Sequence, residues 1–165
     1  MTYCETDVAA LLHCASRGDD RYLAQSLIAC RNLSEYLRVL QAGSYGSTAD
    51  YSRFDEHKAI LDRYSSGSST LSELAQLETI RRLGISVIPY GDKRYPALLT
   101  EIPDPPPVLY HRGVWSDLNT PQIAMVGARQ ASGQARKVAH ELSSRLASIG
   151  LVITSGLALG VDSCA

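Results

Sequence analysis

The chain has 165 residues, 45% of them hydrophobic and 20% charged, with a net charge of −1. That allows one domain or two small ones of ordinary globular composition. It excludes a broad basic field, because Lys and Arg against Asp and Glu number 9 to 11 in residues 1–90 and 7 to 6 in residues 91–165; an anion must therefore be met at a local site.

The N-terminus, "MTYCETDVAALLHCASRGDD", has acids and a histidine where a secretion signal carries a basic start and an apolar core. No apolar run reaches the roughly 18 residues of a membrane span. The expected location is the cytoplasm. Residues 7–41 read as helical. Thr6 or Asp7 offers an N-terminal cap, and Leu23, Leu27, Ile28, Leu33, Leu37 and Leu40 recur at helical spacing. Gly43 is the expected stop. A polar, turn-rich stretch, "GSYGSTADYSR", follows, then a short helix around 56–64. "SSGSS" at 65–69 reads as a flexible connection.

A second block opens with Thr70 and Glu73, the spacing of a capping box. It continues as a helix with Leu71, Leu74, Leu77, Ile80 and Leu83 along an apolar stripe, closed by Gly84. "ISVIPY" reads as a strand. Residues 103–107 hold four of the seven prolines, which makes them a rigid, extended connector. "VLYHRG" is another short strand.

The last part has the clearest pattern. "IAMVG" is an apolar strand, Ser132 caps a helix through about Ile149, Gly150 closes it, and "LVITS" is a second apolar strand. Strand–helix–strand implies parallel pairing with both strands buried. Val138, Leu142, Leu146 and Ile149 form the expected inner face of the helix.

None of the four cysteines, Cys4, Cys14, Cys30 and Cys164, has C-x-x-C or metal-ligand spacing. Reduced thiols are expected. His13, His57, His111 and His140 are not paired in sequence with a nucleophile, and His57 lies in a polar segment.

In an open parallel sheet, ligands sit beyond the carboxyl ends of the strands. Two loops meet there, Gly127-Ala128-Arg129-Gln130-Ala131-Ser132 and Ser155-Gly156-Leu157-Ala158-Leu159-Gly160. Each leads toward a helix start, where free N–H groups and the helix dipole favour an anion. Gly127 and Gly156 let a ligand approach the backbone. Arg129 adds a planar fork matched to phosphate oxygens, and Ser132 and Ser155 add hydroxyls. On the other reading, the glycines only make tight turns and Arg129 points to solvent. The loops are neither a Walker A motif nor Gly-x-Gly-x-x-Gly.

"KRYPALLTEIPDPPPVLYHRG", "IAMVGARQAS" and "GLVITSGLALGVDSCA" resemble, in order and spacing, the bacterial DNA-processing protein A (DprA/Smf) family over about residues 84–165. The resemblance implies a helical, SAM-like N-terminal domain, here 1–66. It implies an α/β, Rossmann-like DNA-binding domain from 67, present to 165 as its N-terminal part. It also implies a homodimer that binds and protects single-stranded DNA during natural transformation and loads the recombinase RecA. It implies no catalysis, metal or cofactor.

The family's first loop falls on Gly127, Ala128 and Arg129, and its second on Ser155, Gly156, Leu157, Ala158 and Gly160, running on to Asp162. Ala128 lacks a hydroxyl often found in the family, Ala135 replaces a glycine, and Val161 replaces an isoleucine. Asp162 is expected to cap the helix that follows it rather than touch a ligand.

A nucleic-acid strand takes phosphate contacts first. Tyr90, Tyr95, Tyr110 and Trp115 are candidate stacking faces, with ordinary packing as their commoner fate. Lys93, Arg94, Arg112, Arg136 and Lys137 are candidate rim cations, with solvation as theirs. The competing reading is a nucleotide-binding or nucleotide-hydrolysing Rossmann-like enzyme, with Asp162 or Asp104 as its carboxylate. Two apolar strands need cover on both faces, so the chain reads as the beginning of a longer protein. By itself it is expected to be marginal and to bind DNA poorly.

Overall fold

The computed structural model describes residues 4–43, 51–114 and 120–165, without the side chains of residues 51 and 52. Most of the expected polar stretch at 43–53, and Trp115, lie outside the described residues. The chain divides into two compact units, Met1–Trp115 and Ser116–Ala165.

The first unit contains α1 (Glu5–Ala15), α2 (Arg21–Cys30), α3 (Leu33–Ala42), α4 (Tyr51–Ser66) and α5 (Leu71–Arg82). A hairpin of β1 (Ile85–Pro89) and β2 (Val108–Arg112) follows. The helical periodicity of 7–41 is thus carried by three helices. The chain turns through left-handed backbone at Arg17 and Gly18, and again at Arg31. Asn32 starts α3 by accepting the Glu35 N–H at 2.9 Å. Neither Thr6 nor Asp7 caps α1, which begins at Glu5. Asp7 instead accepts from the Tyr64 hydroxyl at 2.6 Å and pairs with Arg81 at 2.5 Å, so tertiary partners hold its carboxylate.

α4 is longer than the sequence suggested, because Phe54, His57, Ile60 and Leu61 form its inner face. His57 is only 2% exposed despite its polar neighbours in sequence. Its Nδ1 bonds the Tyr36 hydroxyl at 2.7 Å. Burial, with Arg53 nearby, pushes its pKa down to about 4.

Ser65 and Ser66 of the expected flexible connection end α4, and residues 67–69 lead the chain on to α5. The Ser68 N–H donates to the Arg63 carbonyl at 2.9 Å, and the Ser66 hydroxyl to the Asp62 carbonyl at 2.8 Å. Arg63 and Glu73 bridge the two helices at 2.5 Å. The capping box of α5 is complete. Glu73 N–H donates to Thr70 Oγ1 at 3.2 Å, and Thr70 N–H to Glu73 Oε2 at 2.7 Å. Along the expected stripe of α5 only Leu77 is fully buried, while Leu71 is 88% exposed.

Val8, Leu12, Leu27, Tyr36, Leu37 and Leu61 share one core with Leu77, Val87 and Val108. α5 and the hairpin therefore pack with the helices before them. This is why the first unit runs past the boundary expected at 66/67. The proline run is fastened as expected of a rigid connector, with the Tyr95 hydroxyl donating to the Pro106 carbonyl at 2.7 Å.

The second unit contains β3 (Gln122–Ala124), α6 (Gly133–Ser148) and β4 (Val152–Thr154), ending in a 3-10 turn at Asp162–Cys164. β3 and β4 are parallel, with Ile123 opposite Ile153. Both strands are shorter than their apolar runs, and β3 is exposed along its length. Among the described residues of this unit, one helix accompanies the pair. The inner face of α6 also differs from expectation. Ala139 and Ser143 are buried, whereas Val138, Leu142 and Ile149 are exposed. Among the described residues no helix is long and apolar enough to cross a membrane.

Candidate anion-binding loops

Because β3 and β4 are parallel neighbours, the segments after them emerge at the same end of the sheet. The structure brings them into contact. Val161 N–H donates to the Ala128 carbonyl at 3.2 Å. Gly127 N–H donates to Asp162 Oδ1 at 3.1 Å. The Ser155 hydroxyl donates to the Met125 carbonyl at 2.8 Å and lies 3.3 Å from the Asp162 carbonyl.

The glycines make room for this contact. A Cβ at Gly127 would lie 2.6 Å from the Val161 side chain. At Gly160, where φ is +101°, a Cβ would run into the Ala128 carbonyl oxygen. At Gly156 it would lie 3.1 Å from Asp162 Oδ2. At Gly127 and Gly160 the volume that a Cβ would take is filled by the opposite loop, and at Gly156 it faces Asp162 of its own segment.

Ser132 caps α6 by accepting the Ala135 N–H at 3.2 Å. Alanine at position 135 supplies the N–H that this cap needs. The N–H groups of Gly133 and Gln134, in the same first turn, have no acceptor among the described residues. Helix N-termini leave such donors free, and the helix dipole makes them attractive to negative charge.

Arg129 is exposed and has no hydrogen-bond or ion-pair partner among the described residues. Arg136 reaches back and donates from Nε to the Ala131 carbonyl at 3.2 Å, which sets a second cation beside the first loop. Leu157 has left-handed backbone at φ 54°, with an 82% exposed side chain. Such a conformation in leucine is uncommon and costs about 1 kcal/mol or more.

Of the expected residues, Gly127, Ala128, Ser155, Gly156 and Gly160 build the joint between the loops. Arg129 and Ser132 stand at the open side, next to the start of α6. Leu157 and Ala158 lie on the turn between Gly156 and Gly160. The sequence reading missed the role of Asp162. Its side chain does not cap the turn that follows it. It crosses to Gly127, 35 residues away in sequence. The available signal was an acceptor-only carboxylate in a loop facing free N–H groups.

The other candidates fall in the first unit or are already engaged. Tyr95 is a buried residue, in edge contact with Tyr90 at 5.4 Å. The Tyr110 hydroxyl bonds His13 Nδ1 at 2.9 Å, and His13 Nε2 pairs with Asp20 at 3.2 Å. Arg94 pairs with Asp92 at 2.7 Å, and Lys137 with Glu141 at 3.9 Å.

The family model described as DNA recombination-mediator protein A matches residues 86–165, a span that contains both loops. The DNA processing protein DprA of Bacillus subtilis is 38% identical over 87 residues, 52% of this chain and 29% of the relative. Protein Smf of Borreliella burgdorferi is 38% identical over 87 residues, 53% of this chain and 28% of the relative. The DNA processing protein DprA of Streptococcus pneumoniae is 40% identical over 74 residues, 45% and 26%. The chain thus spans less than a third of the length of these curated relatives. Residues 86–165, and with them the paired loops around Arg129, thus match the family of DNA recombination-mediator protein A, to which these DprA and Smf relatives correspond.

Proposed function

We propose that the loop pair holds phosphodiesters of single-stranded DNA. The observation that carries this reading is Arg129, exposed and without a hydrogen-bond or ion-pair partner among the described residues, in the loop that leads into α6. A guanidinium and a helix N-terminus together favour a phosphate and are indifferent to the base attached to it. In keeping with the family, the parent activity is protection of incoming single strands during natural transformation and their delivery to the recombinase RecA by a homodimer. Residues 67–165 are read as part of a Rossmann-like domain, and residues 1–66 as a SAM-like one.

Titration of the 165-residue chain with oligothymidylate at low salt tests the reading. Arg129→Ala should weaken binding several-fold for every base composition. It should also lower the slope of log affinity against log salt by about 1. Unchanged affinity and slope would remove Arg129 from the site.

A further inference from the structure

The loop pair contains a negative charge where its ligand is also negative. Asp162 Oδ1 already accepts the Gly127 N–H at 3.1 Å, and Asp162 Oδ2 lies against Gly156. The Ser155 hydroxyl is taken by the Met125 carbonyl. Two donors that an anion at this end of the sheet would use are thus occupied from within. Among the described residues, the donors left open are the Arg129 guanidinium and the N–H groups of Gly133 and Gln134.

An arginine beside a helix N-terminus, with no carboxylate near, prefers a doubly charged phosphate to a singly charged one, because attraction grows with ligand charge. A fixed carboxylate on the Gly127 N–H, two residues before Arg129, opposes that preference, because its repulsion grows with the same charge. A phosphodiester carries one negative charge, while a phosphomonoester near neutral pH carries about 1.5 to 2.

We propose that Asp162 is the specificity-determining residue of the loop pair: its carboxylate, held on the Gly127 N–H, turns the site against phosphomonoesters and leaves it to the diesters of a continuous strand. The inference rests on the phosphate-binding reading above. It predicts that free nucleotides and inorganic phosphate compete poorly with a polynucleotide. It also gives Asp162 two separable tasks. As an acceptor it ties the loops together, and as a charge it selects the ligand.

Asp162→Asn separates these tasks, since the amide oxygen still accepts from Gly127 N–H while the charge is gone. NMR titrations of the 165-residue chain would compare thymidine 5′-monophosphate, thymidine 3′,5′-cyclic monophosphate and an oligothymidylate without terminal phosphates. The two mononucleotides share a base and a sugar and differ in phosphate charge. The wild-type chain should prefer the cyclic diester. Asp162→Asn should raise affinity for the monoester about tenfold and for the diesters about threefold, the dianion gaining more.

Asp162→Ala, which removes the acceptor as well, should speed amide exchange at Gly127 and weaken every ligand. An equal gain for monoester and diester in the Asn variant would overturn the inference, and so would a wild-type chain that prefers the monoester. The wild-type preference needs no variant, so a poorly folding Asn variant does not shield the proposal. If the mononucleotides behave as stated but the oligonucleotide does not bind, the selectivity stands and the single-stranded DNA reading falls. If nothing binds, both fall.

Discussion

The two units of this chain are held together by different means. In the first, Val8, Leu12, Leu27, Tyr36, Leu37 and Leu61 are each excluded from water almost completely. In the second, Ala139 is the one buried apolar side chain among the described residues. The first is stabilised chiefly by removing apolar surface from solvent, at about 25 cal/mol per Å². The second is organised by a short parallel ladder, by glycines that admit the opposite loop, and by bonds such as Gly127 to Asp162. A network of that kind fixes positions well but adds little net free energy, since each such bond is worth about 1 kcal/mol. Geometry suited to a ligand and bulk stability thus reside in different parts of the molecule.

Core truncation should separate them most sharply. Leu37→Ala removes a side chain with no exposure and should destabilise the first unit by about 4 kcal/mol. Leu142→Ala, at a position 45% exposed, should cost less than about 1 kcal/mol. Urea unfolding followed separately through amides of α1 and α6 would show this. Equal losses would mean that the two units share one core.

Acid should act on the same division. His57 is neutral in the fold, with its pKa pushed down to about 4, whereas in the unfolded chain it binds a proton below about 6.5. The unfolded state therefore takes up protons first. His57's contribution is fully present above pH 6.5 and is lost as the pH falls toward 4, by about 3 kcal/mol in all. Urea midpoints for the first unit should drop across that window and drop less in a His57→Phe variant. An identical drop in the variant would assign the acid sensitivity elsewhere.

Gly160→Ala probes the second unit alone. Left-handed backbone and the collision with the Ala128 carbonyl oxygen should cost about 2 kcal/mol. The amides of Gly127 and Val161 should exchange faster while those of α1 are unchanged. Full protection of both amides in the variant would show that the loops do not depend on this close approach.

The same contrast explains what was legible in the sequence. Local devices read through well. The Thr70–Glu73 capping box, the Ser132 cap, the stops near Gly43 and Gly84, and the parallel pairing of the last two strands all depend on residues close together or on a repeated spacing. The adjacency of the two loops followed from parallel pairing. What did not read through depends on contacts distant in sequence. The burial of His57 is set by α2 and α3, not by its polar neighbours. Asp162 finds Gly127 only once the strands are paired. The buried face of α6 carries Ala139 and Ser143, and the apolar pattern of Val138, Leu142 and Ile149 pointed the other way. Apolar runs mark where burial is favourable, not which neighbour supplies it.

The central claim, that the paired loops receive a phosphodiester strand at the open side of the first loop, is tested most directly by mapping amide shifts during titration with oligothymidylate at low salt. The largest changes should fall at Ala128–Ser132, Gly133 and Gln134, with smaller ones at Ser155–Val161 and none in the core of the first unit. Perturbation confined to the first unit, or spread evenly over exposed lysines and arginines, would contradict the account.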